Sequence, residues 1–191
     1  MTSSELLFEA KKITDEGRDI LENNFLPLSP TQKKWRINNQ SWNILEIFAH
    51  LNKFASYYHL TFERIISKTK FKTPKENFVS SPLGRSAWKS MKLGNSKNVK
   101  RRLKSLRQFN PLFDKQLVSG NDEKDFVENL KQLSEIIEKA KQVNIRKVKI
   151  PISISKIIRL RLGDALLFVV YHNERHIQQA VNILQHPNFP K

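Results

Sequence analysis

Two of the five histidines lie four residues apart in the segment YHNERHIQQA, residues 171–180. Consecutive residues of an α-helix are rotated by about 100°, so His172 and His176 would lie one above the other on the same face. Two imidazoles at this spacing can bind one metal ion through their unprotonated ring nitrogens. They can equally be buried polar residues that hydrogen-bond to carbonyls or carboxylates, and the spacing alone leaves both interpretations open.

His172 and His176 share their face with the apolar residues Ala165, Val169 and Ile183, so they are predicted to point inward. A third histidine, His50, is predicted to point inward from an earlier helix, because its face also contains Ile47, Phe54 and Tyr57. His59 is about 180° further round that helix, among polar residues, and His186 follows in the tail, so both are predicted to be exposed to solvent. The sequence therefore predicts that His50, His172 and His176 converge between two helices. Three protein ligands would leave one coordination position open for water or substrate.

Apolar residues repeat at intervals of three and four in four long segments, which favours an all-α fold in which a single domain spans residues 1–191. Ser41 is the predicted N-cap of the second helix. The β-branched segment 144–162 is predicted to be a strand, or an extended connector with a short helix after Pro151, and no convincing hairpin is found. The expected architecture is a four-helix bundle with helices near residues 4–25, 41–67, 121–143 and 163–185.

The composition excludes several classes of site. The chain has no cysteine, so disulfides, zinc–thiolate sites and a cysteine nucleophile are ruled out, and any metal must be bound by histidine, carboxylate or water. The first residues include acids and lysines where a signal peptide needs an apolar core, and there is no run of about 18 apolar residues. We therefore expect a soluble, cytoplasmic protein with no membrane partner.

The net charge of +16 is concentrated in residues 68–115, which contain 14 Lys and Arg residues but only two acids, Glu76 and Asp114. This segment is predicted to be a long loop with one short helix near LGRSAWKSM. Its cations are interleaved with Trp88 and Phe109, which permits phosphate contacts and base stacking, so a nucleic-acid or other polyanion binder is the alternative function. The cations can equally form a solvated basic surface that has no binding role. The candidate polyanion-binding residues are Arg85, Lys89, Arg101, Arg102, Lys104 and Arg107.

Two motifs resemble those of a known family. The segment Trp42–Leu51 has the pattern W-x-I-x-E-x-x-x-H-L, and the last predicted helix contains LGDALLFVVYHNERHIQQAVNIL. Together, in this order, they resemble the DinB-like (YfiT-like) superfamily of four-helix bundles. The resemblance implies a divalent metal, Zn or Ni, bound by His50, His172 and His176. The long basic connection between the second and third long helices departs from the typical pattern of that superfamily.

The resemblance also implies a class of activity, that of a metal-dependent hydrolase or a thiol S-transferase acting on a small molecule with a low-molecular-weight thiol. A bound metal could lower the pKa of a water or polarise a substrate oxygen or sulfur. Glu46, one turn before His50, is the candidate base or ligand-orienting residue, and Tyr57 and Gln179 are expected to line the substrate pocket. A non-catalytic metal-binding scaffold and a homodimer built on the apolar second helix stay open.

Overall fold

The computed structural model describes residues 1–94 and 105–191 and is mostly helical within them. The bounds predicted for the four long helices agree with it to within three residues. A short helix is also present at the predicted LGRSAWKSM segment. The described α-helices are α1 (Ser3–Asn24), α2 (Pro30–Lys34), α3 (Ile44–Lys68), α4 (Pro82–Met91), α5 (Asp122–Ala140) and α6 (Leu162–Leu184).

The four long helices pack around a shared interior, with α5 and α6 each contacting both α1 and α3. The interior consists of two apolar clusters, one of which contains the rings of Phe25, Phe48 and Phe126, while the other contains Phe54 and Tyr58. Each cluster draws residues from α1, α3, α5 and α6. The boundary between them falls near the middle of α6 and close to the fiftieth residue of the chain, in α3.

The long connection between α3 and α5 follows from the direction of these helices. The Asn52 side chain donates to the Asp122 carbonyl, and Lys139 forms an ion pair with Glu63 further along both helices. Early residues of α3 contact early residues of α5, and late residues contact late residues, so the two helices run parallel. Parallel neighbours cannot be joined by a short turn, so the chain must return along the length of both helices before α5 begins.

Asn43, rather than Ser41, is the N-cap of α3, so the predicted cap is wrong. The Asn43 side chain accepts a hydrogen bond from the Glu46 amide at 2.9 Å, and the Glu46 carboxylate accepts from the Asn43 amide at 3.0 Å. This reciprocal pair is a capping box, which satisfies two amides that lack partners inside the helix. The Ser41 hydroxyl donates instead to the carbonyl of Asn38 in the preceding turn.

The segment before α6 is an antiparallel hairpin, which the sequence analysis missed. Strand β1 (Lys149–Ile152) pairs with strand β2 (Ser155–Arg161), and no helix follows Pro151. Side chains point alternately to the two faces of a strand. Ile150 and Leu160, which are paired across the hairpin, are therefore buried, while their neighbours point outward. Two features hid the hairpin: its turn lacks the Gly or Asn that marks tight hairpins, and Pro151 argues against a central strand, although an edge strand tolerates it.

None of the described helices combines the length and the hydrophobicity that crossing a membrane would require.

Helix α4 is fixed to the beginning of α6 by a buried carboxylate. Asp164 is fully buried, and its Oδ2 accepts hydrogen bonds from the amide and the hydroxyl of Ser81 at 3.0 and 3.1 Å. Ser81 is the N-cap of α4, and Gly84 in the first turn lies directly against the same carboxylate. A Cβ atom at Gly84 would overlap the Asp164 side chain.

We therefore expect Gly84→Ala to lower the free energy of unfolding by about 2 kcal/mol, because overpacking a buried contact forces the backbone or Asp164 to move. The measurement is urea unfolding followed by circular dichroism. Ser86→Ala, at an exposed position of the same helix, is the matched control and should change stability by less than about 0.5 kcal/mol. Equal stability of Gly84→Ala and Ser86→Ala would show that this contact is loose.

Candidate metal centre

The structure brings together the three histidines that the sequence predicted to converge. His50 projects from α3, and His172 and His176 project from α6, so that one ring nitrogen of each lies within 4.8 Å of the others. The Nε2 atoms of His50 and His172 are 3.3 Å apart. Two nitrogens bound to one tetrahedral Zn²⁺ at about 2.0–2.1 Å are separated by about 3.4 Å, so this pair already has the spacing of two ligands.

Hydrogen bonds to the other ring nitrogen orient two of the three imidazoles. His50 Nδ1 lies 2.6 Å from the carbonyl oxygen of Phe109, and His176 Nδ1 lies 3.0 Å from Oε1 of Gln179. Both oxygens can only accept, so each Nδ1 carries the hydrogen and each Nε2 is left with a free lone pair. Metal-binding histidines typically have this second hydrogen bond, which fixes both the tautomer and the ring orientation.

The third imidazole is held by packing. The His172 ring stacks on Phe54, with centroids 4.0 Å apart and planes inclined by 23°. Its Nδ1 is buried and makes no hydrogen bond within the part of the chain that the structure describes. The orientation of the His172 ring therefore depends on its stacking against Phe54 and on the contact of its Nε2 with Nε2 of His50.

An indole and the returning connection cover the centre. The Trp42 ring lies 4.9 Å from the His50 ring and 5.8 Å from the His176 ring, and its Nε1 donates to Oδ1 of Asn110 at 3.1 Å. Asn110 directly follows Phe109, whose carbonyl accepts from His50. His50 and His172 are buried and His176 is half-buried, so the centre comes nearest to the surface at His176.

Burial keeps these imidazoles neutral. Removal from water lowers the pKa of His50 to about 4, with the hydrogen bond to Phe109 acting in the opposite direction. The pKa values of His172 and His176 lie well below the usual range, first because the rings are buried and then because the neighbouring histidines would repel a second positive charge. All three are therefore uncharged near neutral pH, the form that binds metals.

The other predicted site residues have different environments. Both carboxylate oxygens of Glu46 are paired with Arg36, at 2.7 and 2.6 Å, so Glu46 could act as a base only if this ion pair opened. The Tyr57 hydroxyl donates to the carbonyl of Ile152 in β1, at 3.2 Å. Gln179 is at the centre, where it orients His176.

The two remaining histidines lie outside the centre. The predicted exposure of His59 is wrong: only 3% of the residue is exposed, and its Nδ1 contacts Oε1 of Gln132 at 3.1 Å. Helix α5 covers this side of α3, which periodicity within α3 could not show. His186 is half-buried, with its ring 5.3 Å from that of Trp35.

The predicted polyanion-binding residues are spread over several segments. Arg85 and Lys89 are exposed on α4, and Arg107 is exposed on a 3₁₀ turn, Arg107–Phe109. The remaining three, Arg101, Arg102 and Lys104, lie outside the described residues.

Several contributors to the centre were missed by the sequence analysis. A backbone carbonyl such as that of Phe109 leaves no signature in residue type, so no pattern could have revealed it. Trp42 stands in the quoted motif without an assigned role, and the aromatic spacing between His50 and Phe54, one helical turn, was the available signal for the wall against His172.

Comparison of the chain with protein-family models, curated proteins and solved structures gives no match. The resemblance to the DinB-like superfamily accordingly stays a prediction.

The buried histidines make the stability of the metal-free protein dependent on pH. The unfolded chain takes up a proton at His50 below about pH 6.5, whereas the folded protein resists this until about pH 4. Stability is therefore complete above about pH 6.5 and is lost as the pH falls toward 4. Urea unfolding in EDTA should show a decrease of about 2 kcal/mol at about pH 5 from His50 alone. A His50→Gln protein should show a smaller decrease, and an unchanged one would contradict the assignment.

The hydrogen bond from His176 to Gln179 should contribute to metal affinity. We expect Gln179→Leu to weaken Zn²⁺ binding by about 10–100-fold, because His176 loses the acceptor that fixes its tautomer. Competition with a chromophoric chelator measures the affinity. Gln178→Leu is the matched control, since Gln178 contacts Asn182 instead of the histidines. Equal affinities of the two variants would remove Gln179 from the site.

Proposed function

We propose that His50, His172 and His176 bind one divalent metal ion, Zn or Ni, and that the protein is a metal-dependent enzyme of the hydrolase or thiol S-transferase type. The observation that carries the proposal is the convergence of three neutral imidazoles, two of which have their Nδ1 hydrogens engaged and their Nε2 lone pairs free. Three nitrogen ligands suit both metals and leave a coordination position for a reactant.

The charge of the ligand set favours an anionic reactant. All three ligands are neutral, so the full charge of a divalent ion would be left uncompensated by protein side chains. When bound, the ion would act as a Lewis acid that favours the deprotonated form of a thiol or a water. A low-molecular-weight thiol and an electrophilic small molecule are therefore the proposed substrates.

The chain's own residues would position the ligands and limit access of water. Phe109 and Gln179 hold the imidazoles in the tautomer that binds metal, while Trp42 and Phe54 cover the ring faces. No carboxylate belongs to the three-histidine group, and Glu46 is engaged by Arg36. We therefore assign no side-chain base, and the proton of the thiol or water is expected to leave to solvent near half-buried His176.

The family proposal is that this is a DinB-like bundle with an enlarged basic connection. It is supported by the mostly helical fold, by the four long helices in the expected order, and by the origin of the ligands, one from α3 and two from α6. We also propose that the protein acts in the cytoplasm and that an apolar side of α3 permits a homodimer.

The first test is the metal content of protein purified without a histidine tag, measured by plasma mass spectrometry. We expect about one Zn or Ni per chain, and almost none in a His172→Ala/His176→Ala protein that keeps its helical circular dichroism spectrum. His186→Ala, which removes a histidine outside the centre, should keep its metal. Absence of metal from the wild type after incubation with Zn²⁺ and Ni²⁺ would overturn the proposal.

The second test is activity. The loaded protein is incubated with chlorodinitrobenzene and a set of low-molecular-weight thiols, and separately with nitrophenyl esters. Turnover that falls at least about 100-fold on chelation and returns with Zn²⁺ or Ni²⁺ is the expected result. Stoichiometric metal binding without turnover in either screen would favour a non-catalytic scaffold.

A further inference from the structure

A groove lined by cations lies between the C-terminal end of α3 and the base of the β1–β2 hairpin. We call it the basic groove and define it by its five cationic residues. Apolar and neutral side chains complete the lining, and no acidic residue contributes to it. The five residues, all of them exposed, are Arg64, Lys68, Lys147, Lys149 and Arg159.

Four of the five cations lie on regular elements, and the fifth, Lys147, lies in the turn before the hairpin. Arg64 and Lys68 are one turn apart on α3, so they share a face. On the hairpin, Lys149 is paired with Arg161, and Arg159 is paired with Pro151, which puts Lys149 and Arg159 on the same side. The walls are joined by a backbone hydrogen bond of 2.9 Å from Asn144 to the carbonyl of Phe71. The cations are thus carried by a connected framework.

The charge of the basic groove is not neutralised internally. Among the described residues, none of its five cations forms an ion pair with a carboxylate. The nearest acid along α3, Glu63, pairs with Lys139 of α5 instead. Five like charges without counter-charges repel one another and raise the local positive potential, which an anionic ligand would relieve.

An aromatic ring lies among these cations. Phe71 is half-buried and lines the basic groove, and the ammonium groups of Lys70 and Lys147 both lie 5.7 Å from its ring centroid. A ring at a cationic surface can stack with a nucleobase while the cations contact phosphates. This combination separates a nucleic acid from an anionic membrane, which presents a flat surface and no bases.

We propose that the basic groove binds a single-stranded nucleic acid, with Arg64, Lys68, Lys149 and Arg159 contacting successive phosphates and Phe71 stacking on a base. None of the six cations singled out from the sequence lines this groove. It is also remote from the metal centre, because Lys68 is eighteen residues beyond His50 on α3, about 27 Å along a helix. The proposal is therefore independent of metal binding and of any reaction at the histidines.

The test is fluorescence anisotropy with labelled single-stranded DNA and RNA of about 15 nucleotides, at about 50 and 200 mM salt. We expect binding that weakens steeply with salt, because phosphate contacts release counterions. A Lys149→Glu/Arg159→Glu protein should bind at least about tenfold more weakly. The matched control is Lys34→Glu/Lys124→Glu, which makes the same change of net charge at exposed positions. These positions lie near the N-terminal end of α5, away from the groove, and the affinity should fall by less than about threefold.

Other outcomes would overturn the proposal. Equal losses in the groove variant and the control would show that net charge, and not the groove, attracts the strand. Binding only to inorganic polyphosphate or to anionic lipid vesicles would identify a different polyanion. Unchanged binding by Phe71→Leu, checked for folding by circular dichroism, would overturn the stacking contact. The metal-depleted wild type should bind the strand as the loaded protein does, so failure here is distinct from failure of the metal site.

Discussion

The interior of this protein must accommodate three uncharged imidazoles whose ring nitrogens face one another. The Phe109 carbonyl fixes the hydrogen of His50 on Nδ1, so its Nε2 presents a lone pair to His172 Nε2, 3.3 Å away. A proton on His172 Nε2 or a bound cation relieves the repulsion between these two lone pairs. A cation can in addition bind Nε2 of His176, and burial makes the additional proton of an imidazolium costly.

The direction of the helices explains how the imidazoles are held. Because α3 and α5 run parallel, the connection between them must return along the molecule, and on this return it passes the centre. The carbonyl of Phe109 and the side chain of Asn110 come from that segment and fix His50 and Trp42. The capping box of Asn43 and Glu46, tied to Arg36, sets the start of α3 at Ile44, six residues before His50. The unusual connection thus belongs to the architecture of the site.

The sequence patterns predicted the features that depend on interactions within one helix. Spacings of three and four located the long helices, and facing within α3 and α6 selected His50, His172 and His176. The wrong N-cap of α3, Ser41 instead of Asn43, is a local error, and the other failures depend on contacts with segments that no pattern within one element describes. His59 is buried because α5 covers it, and the hairpin is held by the pairing of Ile150 with Leu160 against the core. The ion pair that engages Glu46 could not be inferred, because Arg36 lies in an irregular segment whose course no periodicity describes.

The position of the basic groove could not be predicted from the distribution of charge along the sequence. Counting along the chain places most of the excess in residues 68–115, yet four of the five cations of the basic groove, Arg64, Lys147, Lys149 and Arg159, lie outside that segment. Folding gathers them from α3, the hairpin and the turn before it, and leaves them without carboxylate partners among the described residues. A potential large enough to attract a polyanion depends on this spatial clustering and not on the linear density of lysine. The metal centre and the groove are then separate consequences of one helix, α3, which carries His50 in its first third and Arg64 and Lys68 at its end.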